Sequence, residues 1–270
     1  MFTNFLPTTN KLKRYISSFT ISQKEGAFPV KYTAFPNIRD CLAFFNHTAF
    51  QIQSDEITFR KDENHCPVII LLGRLTSPTL VTYIEPIEEI SINFTPCGIN
   101  YFFGIPFLEM ASKSHQLLEE PKWTDFALAL YSELPEKRIT MLEAFLLSSL
   151  NEQKTDAMER VFNSMAAMDK LKVQELADIA CMSERNFLRY FWKYFGCNPS
   201  TYKKILRFRN VLDTQYSKQT NSYCRFLLTD DYCDTSHFRK EFLQFTGCTP
   251  RQFNKSSFLP GNGNSVFRLV

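Results

Sequence analysis

Polar side chains able to bind nucleobases recur at helical spacing between Ser183 and Gly196. Four of them share one face of the predicted helix: Arg185, Asn186, Arg189 and Lys193. Arginine forms paired hydrogen bonds with O6 and N7 of guanine, and asparagine does so with N6 and N7 of adenine. A helix with its side chains is about 10 to 12 Å across and the major groove of B-DNA is about 12 Å wide. The residue types and their spacing therefore predict a helix that contacts base edges.

Two helices joined by a tight turn are predicted between residues 173 and 199. Apolar residues recur at steps of three and four on one side of each helix: Leu176, Ala177 and Ala180, then Phe187, Phe191 and Phe195. Ser183 stands where the second helix needs an N-cap, and Gly196 stands where that helix ends. A capped helix with an aromatic back and a cationic front is typical of a helix-turn-helix unit.

The same pattern returns 51 positions later in the chain. Ser183, Phe187, Arg189, Phe191, Gly196, Cys197 and Pro199 correspond to Asp234, Phe238, Lys240, Phe242, Gly247, Cys248 and Pro250. Because the cap, the core aromatics, the cation and the stop keep their order, the sequence predicts two helix-turn-helix units.

A single long helix is predicted between the units, from about residue 199 to residue 216. Its buried side would be formed by Tyr202, Ile205, Leu206 and Val211. At 1.5 Å per residue such a helix is about 27 Å long. Successive major-groove faces lie about 34 Å apart, so this spacer can hold two recognition helices about one turn apart on the same DNA face.

These motifs resemble the DNA-binding domain of AraC/XylS-family transcription regulators over about residues 156–254. In the second unit the family pattern S-H-F, cation, F and G-x-x-P is matched by Ser236, His237, Phe238, Lys240, Phe242, Gly247 and Pro250. The chain departs from the family at Cys181 and Asp231, where glycine is frequent in the turns, and at Asp230, where an apolar residue is usual. The resemblance implies a sequence-specific regulator that binds double-stranded DNA.

The resemblance also implies roles for single side chains. In the first unit the groove-facing residues would be Arg185, Leu188 and Arg189, with Asn186, Trp192 and Lys193 beside them. In the second unit the corresponding residues are Ser236, His237, Arg239 and Lys240. The cations at or near the spacer are expected to form a solvated face or to contact phosphates without reading sequence: Lys203, Lys204, Arg207 and Arg209. Leu188 is apolar, and the matching group in the major groove is the methyl of thymine.

Charge is distributed unevenly along the 270 residues. Residues 1–154 contain 14 Lys+Arg and 17 Asp+Glu, whereas residues 155–270 contain 17 and 11. A basic C-terminal half suits a polyanionic partner. The start of the chain has no hydrophobic leader and no apolar run approaches the roughly 18 residues needed to span a bilayer, so we predict a cytosolic protein that does not act at a membrane.

The N-terminal part has the sequence character of a β domain. Between residues 28 and 94, short runs of β-branched and aromatic residues alternate with Pro, Gly, Asn and Asp. Short strands without long intervening helices favour an antiparallel sandwich or barrel. The region is similar to the sensor region of some AraC-type regulators, which implies a cupin-like fold. The predicted class is therefore α+β, with this β domain and flanking helices followed by an all-α double helix-turn-helix domain.

Four segments are predicted. Residues 1–134 form a β-rich sensor or oligomerisation domain, residues 135–154 a helical connector, residues 155–256 the DNA-binding domain, and residues 257–270 a loose tail. Short helices are also expected at residues 10–19 and 106–111. The apolar side of the connector helix is either a dimer interface or a surface that packs on its own β domain. The predicted partners are double-stranded DNA, a small-molecule effector and RNA polymerase, and the chain would act as a monomer or a homodimer.

A cupin-type metalloenzyme competes with the regulator as a function for this sequence. Its ligands would come from His47, His65, His115, Cys41, Cys66 and Cys97. The sequence lacks the close H-x-H or H-x-x-x-H pairs typical of metal sites, and it lacks G-x-S-x-G, P-loop and dinucleotide-binding motifs. A DNA-repair protein that carries the same helical module, or a ligand-independent scaffold, would also be compatible with the domain order. We predict no enzyme activity, no cofactor and no metal.

Overall fold

The computed structural model describes residues 2–23, 28–53, 56–64, 67–72, 76–103, 115–152, 156–165, 168, 170–217, 234–253, 258–260 and 266–269. The strands are β1 (Phe2–Phe5), β2 (Ile16–Gln23), β3 (Val30–Ala34), β4 (Cys41–Phe45), β5 (Thr48–Gln53), β6 (Glu56–Lys61), β7 (Val68–Leu72), β8 (Thr79–Tyr83), β9 (Glu88–Phe94), β10 (His115–Leu117), β11 (Phe258–Pro260) and β12 (Val266–Leu269). The α-helices are α1 (Asn10–Lys13), α2 (Pro121–Ser132), α3 (Pro135–Ser149), α4 (Asp156–Ser164), α5 (Val173–Ile179), α6 (Glu184–Phe195), α7 (Pro199–Ser217), α8 (Thr235–Thr246) and α9 (Pro250–Phe253).

The strands form two six-stranded sheets. Sheet A has the order β1-β2-β9-β4-β7-β10, and sheet B has the order β11-β12-β3-β8-β6-β5. Neighbouring strands are antiparallel, except that β6 and β8 run parallel. The predicted class, an antiparallel β domain followed by a helical region, is confirmed.

The two faces of sheet A meet different surroundings, because successive side chains of a strand point to opposite sides. On β9, Ile90 and Ile92 belong to the core that sheet A shares with α2 and α3. Glu89, Ser91 and Asn93 of the same strand are buried on the other side, and Tyr83 of sheet B donates to Glu89 there. The space between the sheets is therefore partly polar.

The apolar side of the connector helix packs on its own β domain. Leu142 and Leu146 of α3 are fully buried in the core shared with sheet A, and Phe145 stacks on Phe126 of α2 with ring centroids 3.8 Å apart. This core continues through α4 into α5 and α6. Because the core does not stop at residue 134 or 154, the domain boundaries remain a prediction.

Two expectations about local structure are wrong. Residues 10–19 do not form one helix, since α1 ends at Lys13 and β2 begins at Ile16. The sequence of β2 does alternate between polar and apolar residues from Ser18 to Ser22, and the helical prediction overlooked this period. The tail is not loose at residues 258–260 and 266–269, because β11 pairs with β12 and β12 pairs with β3, which would otherwise be an edge strand. Pairing satisfies backbone groups that an open sheet edge leaves without partners.

Several contacts hold the helical region against the β-rich part. Phe35, which follows β3, packs edge-on against Phe208 of α7. Arg209 is buried and donates to the carbonyls of Phe35 and Pro36 at 2.8 and 2.5 Å. Asn100 Nδ2 donates to the carbonyl of Tyr194 at 3.2 Å. Both the first unit and the spacer helix are therefore docked on the β domain.

Some predicted elements lie outside the described residues, namely the helix at 106–111 and the first helix of the second unit, which would fall within 218–233. In the part of the chain that the structure describes, none of the helices combines the length and the hydropathy that crossing a bilayer requires.

Candidate nucleic-acid interface

The first unit consists of α5, a tight turn and α6. Cys181 in the turn has a φ of 53°, which lies in the left-handed region that favours glycine. Ser183 is the N-cap of α6, and its hydroxyl accepts from the backbone N–H of Asn186 at 3.4 Å. Gly196 ends the helix with a φ of 62°. The turn and both caps therefore follow the sequence prediction.

The back of α6 is anchored by aromatic side chains. Phe187, Phe191 and Phe195 are fully buried, and the last two stack with ring centroids 4.4 Å apart. Both rings also pack edge-on against Tyr202 of α7, each at 5.6 Å. This packing fixes the rotation of α6 about its axis, so that the opposite face is turned to solvent.

The reading helix of the second unit reproduces these features. α8 has 12 residues, as α6 does. Asp234 caps it by accepting from the N–H of His237 at 2.7 Å, and Gly247 ends it with a φ of 69°. Phe238 and Phe242 are buried on its back. The 51-residue repeat in sequence is thus a repeat in three dimensions for the helix that would read DNA.

The predicted groove-facing residues lie at the surface in both units. The exposed ones are Arg185, Asn186, Leu188, Arg189, Trp192, Ser236, His237, Arg239 and Lys240, and Lys193 is half-buried. The guanidinium of Arg189 lies 5.1 Å from the ring centre of Tyr190, and the ammonium of Lys193 lies 5.7 Å from that of Tyr194. Neighbouring rings thus orient two of the cations without neutralising them.

His237 is engaged within the protein. Its Nε2 lies 3.3 Å from Oε1 of Glu241, a buried carboxylate that also accepts from Arg207 at 3.0 Å. Glu241 is therefore the point at which α8 is tied to α7. Arg207, expected on the solvated face of the spacer, has this structural contact instead.

The cations of the spacer helix differ in their surroundings. Lys204 is exposed. Lys203 is half-buried, and its ammonium donates to the carbonyl of Leu171, just before α5. Arg209, also expected near the surface of the spacer, is only 5% exposed and holds the β domain. Among the three, Lys204 is the one whose position suits contact with a phosphate.

Sequence reasoning missed a cation beside the second unit. Arg251 in α9 is exposed and lines an open groove together with Ser236, Arg239 and Lys240 of α8. The corresponding position of the first unit is Ser200, so the repeat gave no signal for it. Three cationic side chains around one groove make a surface suited to a phosphate backbone.

A cavity of about 100 Å³ lies between the two sheets and reaches α7. Its apolar wall includes Phe45, Ile57, Phe59, Leu72 and Val81, and its polar wall includes Asn37, Arg39, Asp40, Glu89, Asn93, His115 and Arg209. Tyr83 lines it as well, and burial followed by the charge of Glu89 raises the pKa of this phenol well above its ordinary value. The Tyr83 hydroxyl therefore stays protonated at neutral pH and donates to Glu89 at 2.9 Å.

The side chains proposed for a metalloenzyme do not form one cluster among the described residues, although Cys41 and His115 both line the cavity between the sheets. His47 is exposed in the turn after β4, whereas His115 is buried on β10. Cys41 is half-buried and Cys97 is buried. His65 and Cys66 lie outside the described residues. Among the described residues, no three His, Cys, Asp or Glu side chains come together as metal ligands would.

Comparison with known proteins gives one match to a protein family. Residues 176–256 match the family described as helix-turn-helix domain. An HTH-type transcriptional regulator of Haemophilus influenzae, itself uncharacterized, is 29% identical over 84 residues, which are 31% of this chain and 28% of that protein. The chain thus matches less than a third of that relative's length. The family match falls on the region that contains the repeated helices.

Solved structures of ToxT from Vibrio cholerae are similar over a larger part of the chain. One of them, in the P21 crystal form, gives a TM-score of 0.48 at 10% identity and covers 87% of this chain and 97% of that one. Wild-type ToxT bound to an unsaturated fatty acid gives a TM-score of 0.45 at 8% identity, with coverage of 87% and 93%.

Proposed function

We propose that this chain, whose residues 176–256 form a helix-turn-helix domain of the AraC type, is a sequence-specific DNA-binding regulator of transcription. One observation carries the proposal: α6 and α8 are each capped, anchored by buried phenylalanines and faced with exposed cations. A helix of this kind fits the major groove of B-DNA. The 19-residue spacer α7 is about 28 Å long, close to the roughly 34 Å between successive groove faces.

The groove-facing side chains divide by what they can contact. We assign base contacts to Arg185, Leu188, Arg189, Ser236, Arg239 and Lys240, and marginal contacts to Asn186, Trp192 and His237. We assign sequence-independent phosphate contacts to Lys193, Lys204 and Arg251, because phosphates accept from any cation whereas base edges require a defined geometry. Lys203 is given a structural role, since its ammonium is held by the Leu171 carbonyl.

Selection of bound fragments from random duplex DNA by the full chain tests the proposal. We expect an enriched sequence that spans two adjacent major-groove segments. The logarithm of its binding constant should fall linearly with the logarithm of salt concentration, by about 0.9 for each phosphate neutralised. An Arg185→Ala, Lys240→Ala double variant is the matched control and should enrich no sequence. Equal recovery of all sequences by the unchanged chain would refute sequence-specific reading.

We further propose that the cavity of the β domain takes a small effector. Arg209 supports this idea, because it lines the cavity and also joins α7 to the loop after β3. A ligand in contact with Arg209 would therefore bind differently in the docked and undocked arrangements, which is the condition for regulation. The apolar and polar walls suit a small amphipathic molecule.

Thermal unfolding of the full chain with a panel of amphipathic compounds tests the effector. Fatty acids enter the panel because a carboxylate complements Arg209 and an alkyl chain suits the apolar wall. A true ligand at 100 times its dissociation constant should stabilise the protein by about 2.7 kcal/mol. Ala34→Phe, which places a ring at the cavity wall, should abolish that gain while DNA binding persists. An equal gain in this variant would place the compound elsewhere.

The remaining assignments concern assembly. One chain already carries two reading helices, so we propose that it binds as a monomer or as a homodimer, with RNA polymerase as a protein partner at the promoter. We propose no enzymatic role. Light scattering of the DNA complex gives its mass and separates one chain per site from two.

A further inference from the structure

The solvent-facing side of α6 carries two apolar side chains next to its cations. Leu188 is 38% exposed and Trp192 is 46% exposed. They are four residues apart and therefore adjacent on the helix surface. Arg185 precedes Leu188 by three residues and Arg189 precedes Trp192 by three, so a cationic row runs beside the apolar one. We call Leu188 and Trp192 the apolar stripe.

An apolar stripe makes the binding free energy less favourable when its helix enters a polar groove. Major-groove base edges present hydrogen-bond donors and acceptors, and covering these with leucine or with the apolar ring face of tryptophan removes water without supplying a partner. The exception is the C5 methyl of thymine, the one apolar group on any base edge in that groove. Arg185 and Arg189 beside the stripe carry guanidinium groups that can pair with guanine in the same groove, and this complementarity points to duplex DNA as the occupant of this surface.

The second unit differs at the corresponding positions. Arg239 of α8 occupies the place of Leu188, and Leu243 occupies the place of Trp192 with 48% of its surface exposed. The paired apolar surface is therefore confined to the first unit among the described residues. A base preference that depends on this paired apolar surface should therefore affect only the half of the DNA site that the first unit binds.

We propose that α6 reads thymine through the apolar stripe, so that the half-site of the first unit is thymine-containing and is recognised by its methyl groups. This inference rests on the proposed DNA-binding function. It extends that function by naming the base and the group that Leu188 and Trp192 contact.

Replacing thymine by deoxyuridine removes the methyl group and leaves base pairing intact. The probes are the duplex enriched by selection and the same duplex with uracil in place of thymine in one half at a time. Burying one methyl is worth about 0.8 kcal/mol, or about a fourfold change in dissociation constant. We expect binding to weaken at least fourfold with uracil in one half, and to stay unchanged with uracil in the other.

Protein variants then identify the residues responsible for the preference for thymine over uracil. Leu188→Ala and Trp192→Ala should bring the thymine-to-uracil affinity ratio close to one, and their exposure means that the fold tolerates both changes. Lys204→Ala, the control, should weaken binding to both duplexes and keep the ratio. Equal binding of thymine and uracil duplexes by the unchanged chain would overturn the inference. A thymine-to-uracil affinity ratio that both variants retain would also overturn it, and would assign the stripe to contact with a protein partner. Failure to enrich any duplex would instead refute DNA reading itself, and this inference with it.

Discussion

Arg189 and Lys204 are both exposed cations, but they differ in what they can contribute to DNA recognition. Arg189 lies on the face of α6 opposite the buried phenylalanines, with its guanidinium 5.1 Å from the Tyr190 ring. A guanidinium held in this way can form two parallel hydrogen bonds with guanine, which a single ammonium cannot do. Lys204 lies on the spacer helix and has no comparable orienting contact among the described residues.

Arg189→Ala should therefore cost about 1 to 3 kcal/mol of specific binding and relax the preference at one base position. Lys204→Ala should weaken all sequences alike and make the salt dependence shallower by about one phosphate. Binding measured against the enriched duplex and a scrambled duplex at several salt concentrations separates the two effects. If the two variants lower both affinities by the same factor, the assignment of base and phosphate contacts is wrong.

Exposure of the reading residues was predictable, whereas the buried roles of other cations were not. Arg185 and Lys240 follow from local rules, because a helix with a phenylalanine back must turn its other face outward. Arg209 and Lys203 read as surface cations from sequence alone. Their carbonyl partners at Phe35, Pro36 and Leu171 lie far away along the chain, and nothing in local periodicity marks a backbone acceptor.

The two reading helices have the same design but unequal caps. Asp234 accepts from the His237 N–H at 2.7 Å, whereas Ser183 accepts from the Asn186 N–H at 3.4 Å. A charged acceptor at short distance makes the stronger bond, and a negative charge at a helix N-terminus is also favourable.

Asp234→Ala should therefore destabilise the protein by about 1 to 2 kcal/mol, and Ser183→Ala by about 0.5 to 1 kcal/mol. Urea unfolding followed by circular dichroism measures both. Asp234→Asn retains an N-cap acceptor and should recover most of the loss. A larger effect at Ser183 than at Asp234 would contradict this reading of the caps.

Packing behind α6 has a larger effect on stability than its cap. Phe191 is fully buried between Phe187, Phe195 and Tyr202, with ring centroids 4.4 to 5.7 Å away. Phe191→Ala should destabilise the chain by about 3 to 5 kcal/mol, and lost DNA binding would follow from unfolding. Phe191→Leu, which keeps most of the volume, should cost much less. An unchanged melting temperature for Phe191→Ala would reject this placement.

Secondary structure was predictable where the signal was local. The caps and phenylalanines of α6 and α8 gave both helices to within a residue of their ends. β2 was missed although Ser18 to Ser22 alternate between polar and apolar residues, because Leu12, Tyr15, Ile16 and Phe19 also fall at helical steps and the helix was preferred. β12 was missed because its pairing with β3 joins residues more than 230 positions apart, a contact that no local pattern encodes.

α7 and α8 dock on the β domain through a cluster that contains Phe35, whereas α4, α5 and α6 share the core of sheet A. Phe35 contacts Phe208 and Phe253, and Arg209 reaches the two carbonyls beside that ring. The same arginine lines the cavity between the sheets. α7 also contacts both reading helices, because its Tyr202 packs on α6 and its Phe208 packs on Phe242 of α8. A shift of α7 would therefore move both reading helices.

Arg209→Ala should loosen this docking, because it leaves two buried carbonyls without their donor, at a cost on the order of 3 kcal/mol. We expect α7 and α8 to melt before the rest of the chain, in a separate transition, because α4, α5 and α6 share the core of sheet A. We also expect stabilisation by a cavity ligand to be lost. Arg209→Lys keeps the charge but cannot bridge both carbonyls, so its effect should be intermediate. Lys204→Ala, five residues earlier and exposed, should leave the transition unchanged. A single unfolding transition at the original midpoint in Arg209→Ala would mean that the remaining apolar contacts suffice to hold the two parts together. Arg209 would then not couple the cavity to the reading helices.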